Sequence, residues 1–202
     1  MKIVIKLVLL VVIIGLGYLV VESIMEPVRF NKQKNIREAM VIRNLEDIRV
    51  AEIAYKTVNG EYMADWDTLI DFVKNTEFPI VKEVADPNDT TNSIIIRDTI
   101  GYVSIMDSLY SHREAFNVNN LKYVPIPGKF FDKEQFELQA GEITRGGLPV
   151  PVFECKVPYD VMLKGLDRQL IINLNKQVSE MNKYTGLKVG SMEEASNEGN
   201  WK

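Results

Sequence analysis

The chain is poor in the side chains on which most catalytic and metal centres depend. It has one cysteine, Cys155, and one histidine, His112, in 202 residues. A lone cysteine excludes an internal disulfide framework and leaves the redox compartment open. A lone histidine gives no independent support to a His-based zinc site or to a triad with Cys155. Cys155 lies in the alternating run Val152-Phe153-Glu154-Cys155-Lys156-Val157, which reads as a strand. Nothing near it in sequence would lower its pKa, so it is expected to be a small core residue rather than a nucleophile. His112, in Ser111-His112-Arg113-Glu114, is expected to be exposed and structurally neutral rather than a catalytic base.

Other absences narrow the field further. There is no P-loop and no G-x-G-x-x-G fingerprint. The formal net charge is -4, and no run of Lys and Arg interleaves with aromatics, so no nucleic-acid partner is expected. The segment Asp86-Pro87-Asn88-Asp89-Thr90-Thr91-Asn92 is rich in oxygen donors for Ca²⁺. It lacks EF-hand spacing and a suitably placed bidentate glutamate, so a solvated turn is the expectation. The acids Glu193, Glu194 and Glu198 make a weaker case still. No catalytic, cofactor-binding or metal-ligating residue is nominated, and the chain is not expected to be an enzyme.

What the sequence does have is an apolar run from Ile3 to Val21, broken only by Lys6. At ~1.5 Å rise per residue, such a helix spans roughly the ~30 Å hydrocarbon core of a bilayer. Lys6 lies close enough to the end to extend its ammonium into the head groups. A cleaved secretory signal would also have a basic start and an apolar stretch. The exit Leu19-Val20-Val21-Glu22-Ser23-Ile24 has no A-x-A pattern, so a retained anchor is expected.

Past the anchor, Pro27 is expected to bend the exit without ending the helix. From Lys32 to Asn59 the pattern becomes amphipathic. Val41, Leu45, Ile48, Ala51, Tyr55 and Val58 form a stripe, and Arg37, Arg43, Glu46, Asp47 and Glu52 fill other faces. Asn59-Gly60 supplies residues that tolerate the left-handed conformation at a helix end. Trp66 to Val73 reads as a second short helix. Short strands are then expected at Phe78 to Val84, Ser93 to Ile96, Gly101 to Met106 and Leu121 to Ile126. Gln135 to Ala140, Ile143 to Arg145 and Pro151 to Val157 continue the series, with turns at Pro127-Gly128 and Gly146-Gly147. This spacing favours an antiparallel sheet over βαβ units. Asp167 to Tyr184 reads as a later helix, with Leu170, Leu174, Val178 and Met181 on one face. The tail from Met192 is polar and expected to fray.

The stretch Asn44 to Tyr62 carries a resemblance. A helix that ends in Tyr55, followed by Asn59-Gly60 and the aromatic Tyr62, resembles the corresponding part of type II secretion pseudopilins and type IV pilins. Trp66, Leu69 and Ile70 resemble the short segment that closes over the helix in those proteins. The resemblance implies a long helix, membranous first and amphipathic second, packed on an antiparallel sheet. Two features depart from the pilin pattern. Gly15 and Gly17 lie inside the apolar run rather than before it, and no acid occurs before Glu22. Processing by a prepilin peptidase and the usual filament salt bridge are therefore not implied. Glu22 to Phe30 and Gly186 to Ser191 also resemble a single-pass envelope family of the Bacteroidota, which implies no activity.

Two signals bear on the side of the membrane. Lys2 and Lys6 precede the anchor, while Arg29, Lys32, Lys34 and Arg37 follow it, which by the positive-inside rule leans towards a cytoplasmic domain. The opposing signal is a set of Asp-Ser/Thr-X triplets that resemble an O-glycosylation signal of exported Bacteroidota proteins. They are Asp67-Thr68-Leu69, Asp89-Thr90-Thr91, Asp98-Thr99-Ile100 and Asp107-Ser108-Leu109. Turn and cap chemistry is the bland account of the same residues.

The expectation is an α+β protein: an anchor at 1–21, a juxtamembrane segment at 22–31, a pilin-like domain at 32–191 and a polar tail at 192–202. Its expected role is a non-enzymatic, single-pass subunit of an envelope assembly, its domain periplasmic. A non-polymerising adaptor of a transport or secretion complex is the alternative, and a membrane-tethered enzyme ranks below both. Its expected partners are the lipid bilayer and other envelope subunits, a second copy of this chain among them. No cofactor is expected.

Overall fold

A computed structural model describes residues 2–85, 95–113, 116–126 and 134–201, without the side chains of 2, 83–85 and 95–98. The fold is α+β. Its helices are α1 (Lys2–Asn59), α2 (Trp66–Asn75), α3 (Ile105–Tyr110), α4 (Tyr159–Met162) and α5 (Arg168–Glu180). Its strands are β1 (Glu77–Ala85), β2 (Ile95–Ser104), β3 (Glu137–Arg145), β4 (Leu148–Pro158) and β5 (Gly186–Gly190). The chain forms two compact units. The first is Met1–Ile42, Pro125–Asp132 and Pro158–Leu187; the second is Arg43–Val124, Lys133–Val157 and Lys188–Lys202.

Helix α1 is a single 58-residue element that runs through Pro27 without a break. Proline removes one backbone donor and crowds the preceding turn, yet hydrogen bonds on either side suffice to carry the helix across it. The helix stops where the sequence says it should. Gly60 has φ +84°, and its amide donates to Lys56 O at 2.8 Å.

In the first unit, the apolar core gathers Phe30 and Val41 of α1 with Tyr159, Met162, Leu163, Ile171 and Leu187. Burial of side chains this size contributes roughly 1.5–3 kcal/mol each. Helix α5 starts at its cap, Asp167, whose carboxylate accepts from the Leu170 amide at 2.8 Å. It ends at Glu180, short of Tyr184, and Asn182 turns the chain with φ 55°. Ile171 is buried and Leu170, Leu174 and Val178 are half-buried, while Met181, placed on the packing face by spacing, is 52% exposed.

In the second unit, Leu45, Ile48 and Ala51 of α1 are fully buried, as are Leu69, Val73, Ile105 and Phe153. Tyr55 meets Phe72 of α2 edge-on at 4.9 Å between ring centroids. Strands β3 and β4 pair antiparallel from Glu137↔Lys156 to Arg145↔Leu148, within a sheet of order β3-β4-β5. Gly146 and Gly147, with φ +61° and +82°, close that hairpin as a two-residue turn that demands positive φ twice. Gly190 is fixed more tightly still. With φ +76°, a Cβ there would lie 2.2 Å from the Phe153 carbonyl oxygen. Strands β1 and β2 form a separate antiparallel pair with a register shift at Ile80/Val81.

Several expectations fail, each for a local reason. Ile105 and Met106 are helical, not strand, because α3 follows β2 directly. Leu121 to Ile126 is no strand; it makes the isolated bridge Tyr123↔Gln135 and backbone bonds with the 3₁₀ turn at Val118–Asn120 and with Glu134 and Phe136. Gln135 to Ala140 and Ile143 to Arg145 lie along one strand from Glu137, since Gly141 pairs with Val152 without a turn. Gly186–Gly190 is a strand that neither glycine at its ends advertises. The tail does not fray among the described residues. Gly190 N donates to Glu198 O, Asn200 N to Lys188 O, and Tyr62 OH to Asn197 Oδ1. Pro127-Gly128 lies outside the described residues.

Candidate functional site

The most distinctive surface is the outer face of α1 itself. From Ile3 to Val21 every large apolar side chain is exposed, from 51% at Val12 to 75% at Ile3. This helix, near the N-terminus, is long and apolar enough to cross a membrane, and no residue of its most apolar stretch is buried by protein. Exposed apolar area on this scale is unfavourable in water and neutral in hydrocarbon.

Beyond the run, the basic residues are largely engaged. Arg29 pairs with Glu22 at 2.8 Å in an exposed bridge, which contributes little. Lys34 pairs with Glu38 at 2.9 Å, and its ammonium lies 6.0 Å from the Tyr159 ring centroid. Burial and the nearby Glu38 carboxylate push the Tyr159 phenol up to about 12. Arg37 is buried and donates through Nη1 to Met162 O at 3.1 Å and Lys164 O at 2.8 Å. Desolvation lowers its pKa. Lys32 remains exposed.

Among the described residues of the second unit, three carboxylates are buried. Asp47 on α1 bonds Arg113, and its own carbonyl accepts from Tyr110 OH at 2.8 Å. Burial raises the Asp47 pKa against the pull of Arg113. Tyr110 stacks on Phe116 at 4.1 Å, closing the cluster. Glu154 on β4 is bridged by Lys188 at 2.9 Å and Lys156 at 3.2 Å. Burial acts to raise its pKa, but those two ammonium groups hold it below the ordinary range. Among the described residues Glu52 on α1 has no cation: Oε2 accepts from Met63 N at 3.0 Å, and Oε1 has no partner. Burial pushes its carboxyl up to about 8, against the Met63 bond. Arg37, Asp47 and Glu52, assigned to polar faces by spacing, are thus inside the protein. Charged residues one position off the apolar stripe give no sequence signal of a partner far along the chain.

The other candidates separate rather than converge. Cys155 is fully buried, and desolvation holds its thiol well above the ordinary value, with Glu52 and Glu154 adding to the effect. His112 is exposed on the turn after α3. Among the described residues no group of three or more His, Cys, Asp or Glu is placed to hold a metal ion. The segment Asp86 to Asn92 lies outside the described residues. Glu193 and Glu194 border an open cleft of about 400 Å³ with Arg145. A second cleft, about 450 Å³, lies between α2 and the 3₁₀ turn. Lys122 pairs with Asp67 there at 2.9 Å, and Lys74 bonds the neutral Asn119 at 2.6 Å.

The Asp-Ser/Thr-X triplets also divide. Thr68 serves the cap of α2, where its hydroxyl donates to Asp65 Oδ2 at 2.7 Å and its amide to the same oxygen at 2.8 Å. Thr99 is exposed on β2 and Ser108 is exposed on α3. Asp89-Thr90-Thr91 lies outside the described residues. No family model matches this chain, and no curated protein or solved structure matches it.

Proposed function

We propose that this protein is a membrane-anchored, non-enzymatic subunit of an envelope assembly, built on a pilin-like plan with its folded part in the periplasm. The observation that carries this reading is the division of labour along α1. One unbroken helix offers an all-round apolar surface at Ile3–Val21 and a core stripe at Leu45, Ile48 and Ala51. Such a helix ties the packing of a folded unit to a lipid-embedded rod, so that the protein acts by where it holds its surfaces. The antiparallel β3-β4 hairpin and the helix end at Gly60 support the pilin-like plan. Exposed Thr99 and Ser108 support the periplasmic side. In the second reading the protein is a fixed adaptor of a transport or secretion complex. The absence of any acid within the apolar run favours it, because no buried charge is there to register one copy against the next.

Crosslinking in cells followed by purification in mild detergent tests both readings. A ladder of this chain's multiples supports a polymerising subunit, and a fixed set of other envelope proteins supports the adaptor. Recovery of the chain alone after both treatments would overturn the assembly reading. Protease added to intact spheroplasts reads the side: digestion of the folded part supports the periplasm, and protection overturns it.

A further inference from the structure

Three carboxylates are buried in the described residues, and they differ in their company. Asp47 has Arg113, and Glu154 has Lys156 and Lys188. Glu52 has no exposed surface, one amide donor for its two oxygens and no cation. Among the described residues no cation pairs with it. On β4 the buried Cys155 thiol feels its charge, and the adjacent Glu154 is taken up by two lysines. On α1 itself the Tyr55 phenol feels both Glu52 and Glu61. Lys56, one turn on, places its ammonium 4.7 Å from the Tyr62 ring centroid. An unpaired oxygen costs far less on a neutral carboxyl than on an ionised one.

The single donor comes from the connection between α1 and α2. That connection holds on through the Met63 amide on Glu52, the Tyr62 ring 4.7 Å from Phe153 and facing the Lys56 ammonium, and the Tyr62 hydroxyl on Asn197. Glu61, Ala64 and Asp65 around them are exposed. We propose that Glu52 is a proton-controlled latch: while neutral it stays buried under the closed α1–α2 connection, and when ionised it opens that connection because a carboxylate with one unpaired oxygen needs water more than it gains from the stronger Met63 bond. Release lets the carboxylate exchange the Met63 amide for water.

The direction with pH follows from linkage. Closed, Glu52 keeps its proton up to about 8, whereas open it titrates at the ordinary 4.5. The closed form therefore binds more protons between those values, and opening rises with pH by up to about tenfold per unit. Below the lower value the latch is fully engaged, and above the upper one the loss levels off. Asp65 does not blur this window, because the Thr68 amide lowers its pKa further.

Hydrogen exchange on the full chain in detergent micelles tests the latch. Protection of the amides of 61–65, corrected for intrinsic exchange, is followed from about pH 5 to pH 9 in the native chain and in Glu52→Gln. The native chain is expected to lose at least tenfold in protection, while Glu52→Gln stays flat. Parallel profiles would overturn the proposal. Should Glu52→Gln fail to fold, carbon NMR of labelled glutamate in the native chain decides. A side-chain carboxyl that titrates near the upper value supports the latch, and titration of every glutamate in the ordinary range overturns it.

Discussion

Leu10 and Leu45 occupy the same helix, and their surroundings could hardly differ more. Leu10 is 54% exposed in a segment apolar on every face, and Leu45 is wholly buried in a segment apolar on one stripe. The helical backbone is common to both, so the contrast comes from the residues between. Around Leu45, Arg43 stays exposed and Glu46 and Arg49 half-exposed, which fixes the face that turns inward. Around Leu10 nothing but Lys6 marks any face as polar. One stripe can be buried by a single packed unit, whereas an all-round apolar cylinder needs a solvent of its own kind.

The largest test of that contrast removes one side of it. A chain that begins at Arg29 is expected to leave the membrane fraction completely, with a cooperative thermal transition like that of the full chain. Sedimentation with vesicles and calorimetry check the two halves of this expectation. Aggregation of every such chain would mean that the buried stripe also depends on lipid or on a partner. Next in size is a matched pair. Leu45→Ala should cost ~2–5 kcal/mol in denaturant unfolding, the range for buried large-to-small changes. Leu10→Ala should move the same transition by no more than about 0.5 kcal/mol, as exposed changes do. Equal losses at the two positions would erase the distinction drawn between the segments.

How much of this was legible beforehand depended on whether a signal was local. The apolar run, the helix end at Asn59-Gly60 and the Gly146-Gly147 turn are all local, and the α+β plan followed from them. Contacts between distant residues were not legible. Arg37 reaches carbonyls at Met162 and Lys164, and Asp47 reaches Arg113, so side chains that read as solvated sit inside. Glu52 hid for the same reason: an acid at a stripe's edge looks like surface until strand and connection close over it. The tail misled in the opposite way. Its polarity reads as fraying, yet backbone bonds to Lys188 and Gly190 hold it.

The smallest expected effects sharpen where the buried stripe stops. Spacing continues it from Leu45, Ile48, Ala51 and Tyr55 to Val58, but Val58 is 49% exposed in the last turn of α1. Just past it, Gly60 turns the chain with φ +84°, and among the described residues nothing buries Val58. Arg43 is exposed too, and although its charge eases the ionisation of Asp47, the hydrogen bond there belongs to Arg113. Val58→Ala and Arg43→Ala should each change stability within about ±0.5 kcal/mol in the detergent-solubilised full chain. Denaturant midpoints at constant slope read both. A loss at Val58 as large as that at Leu45 would mean that the helix is covered to its end. The boundary between packed stripe and free turn would then have to move past Gly60.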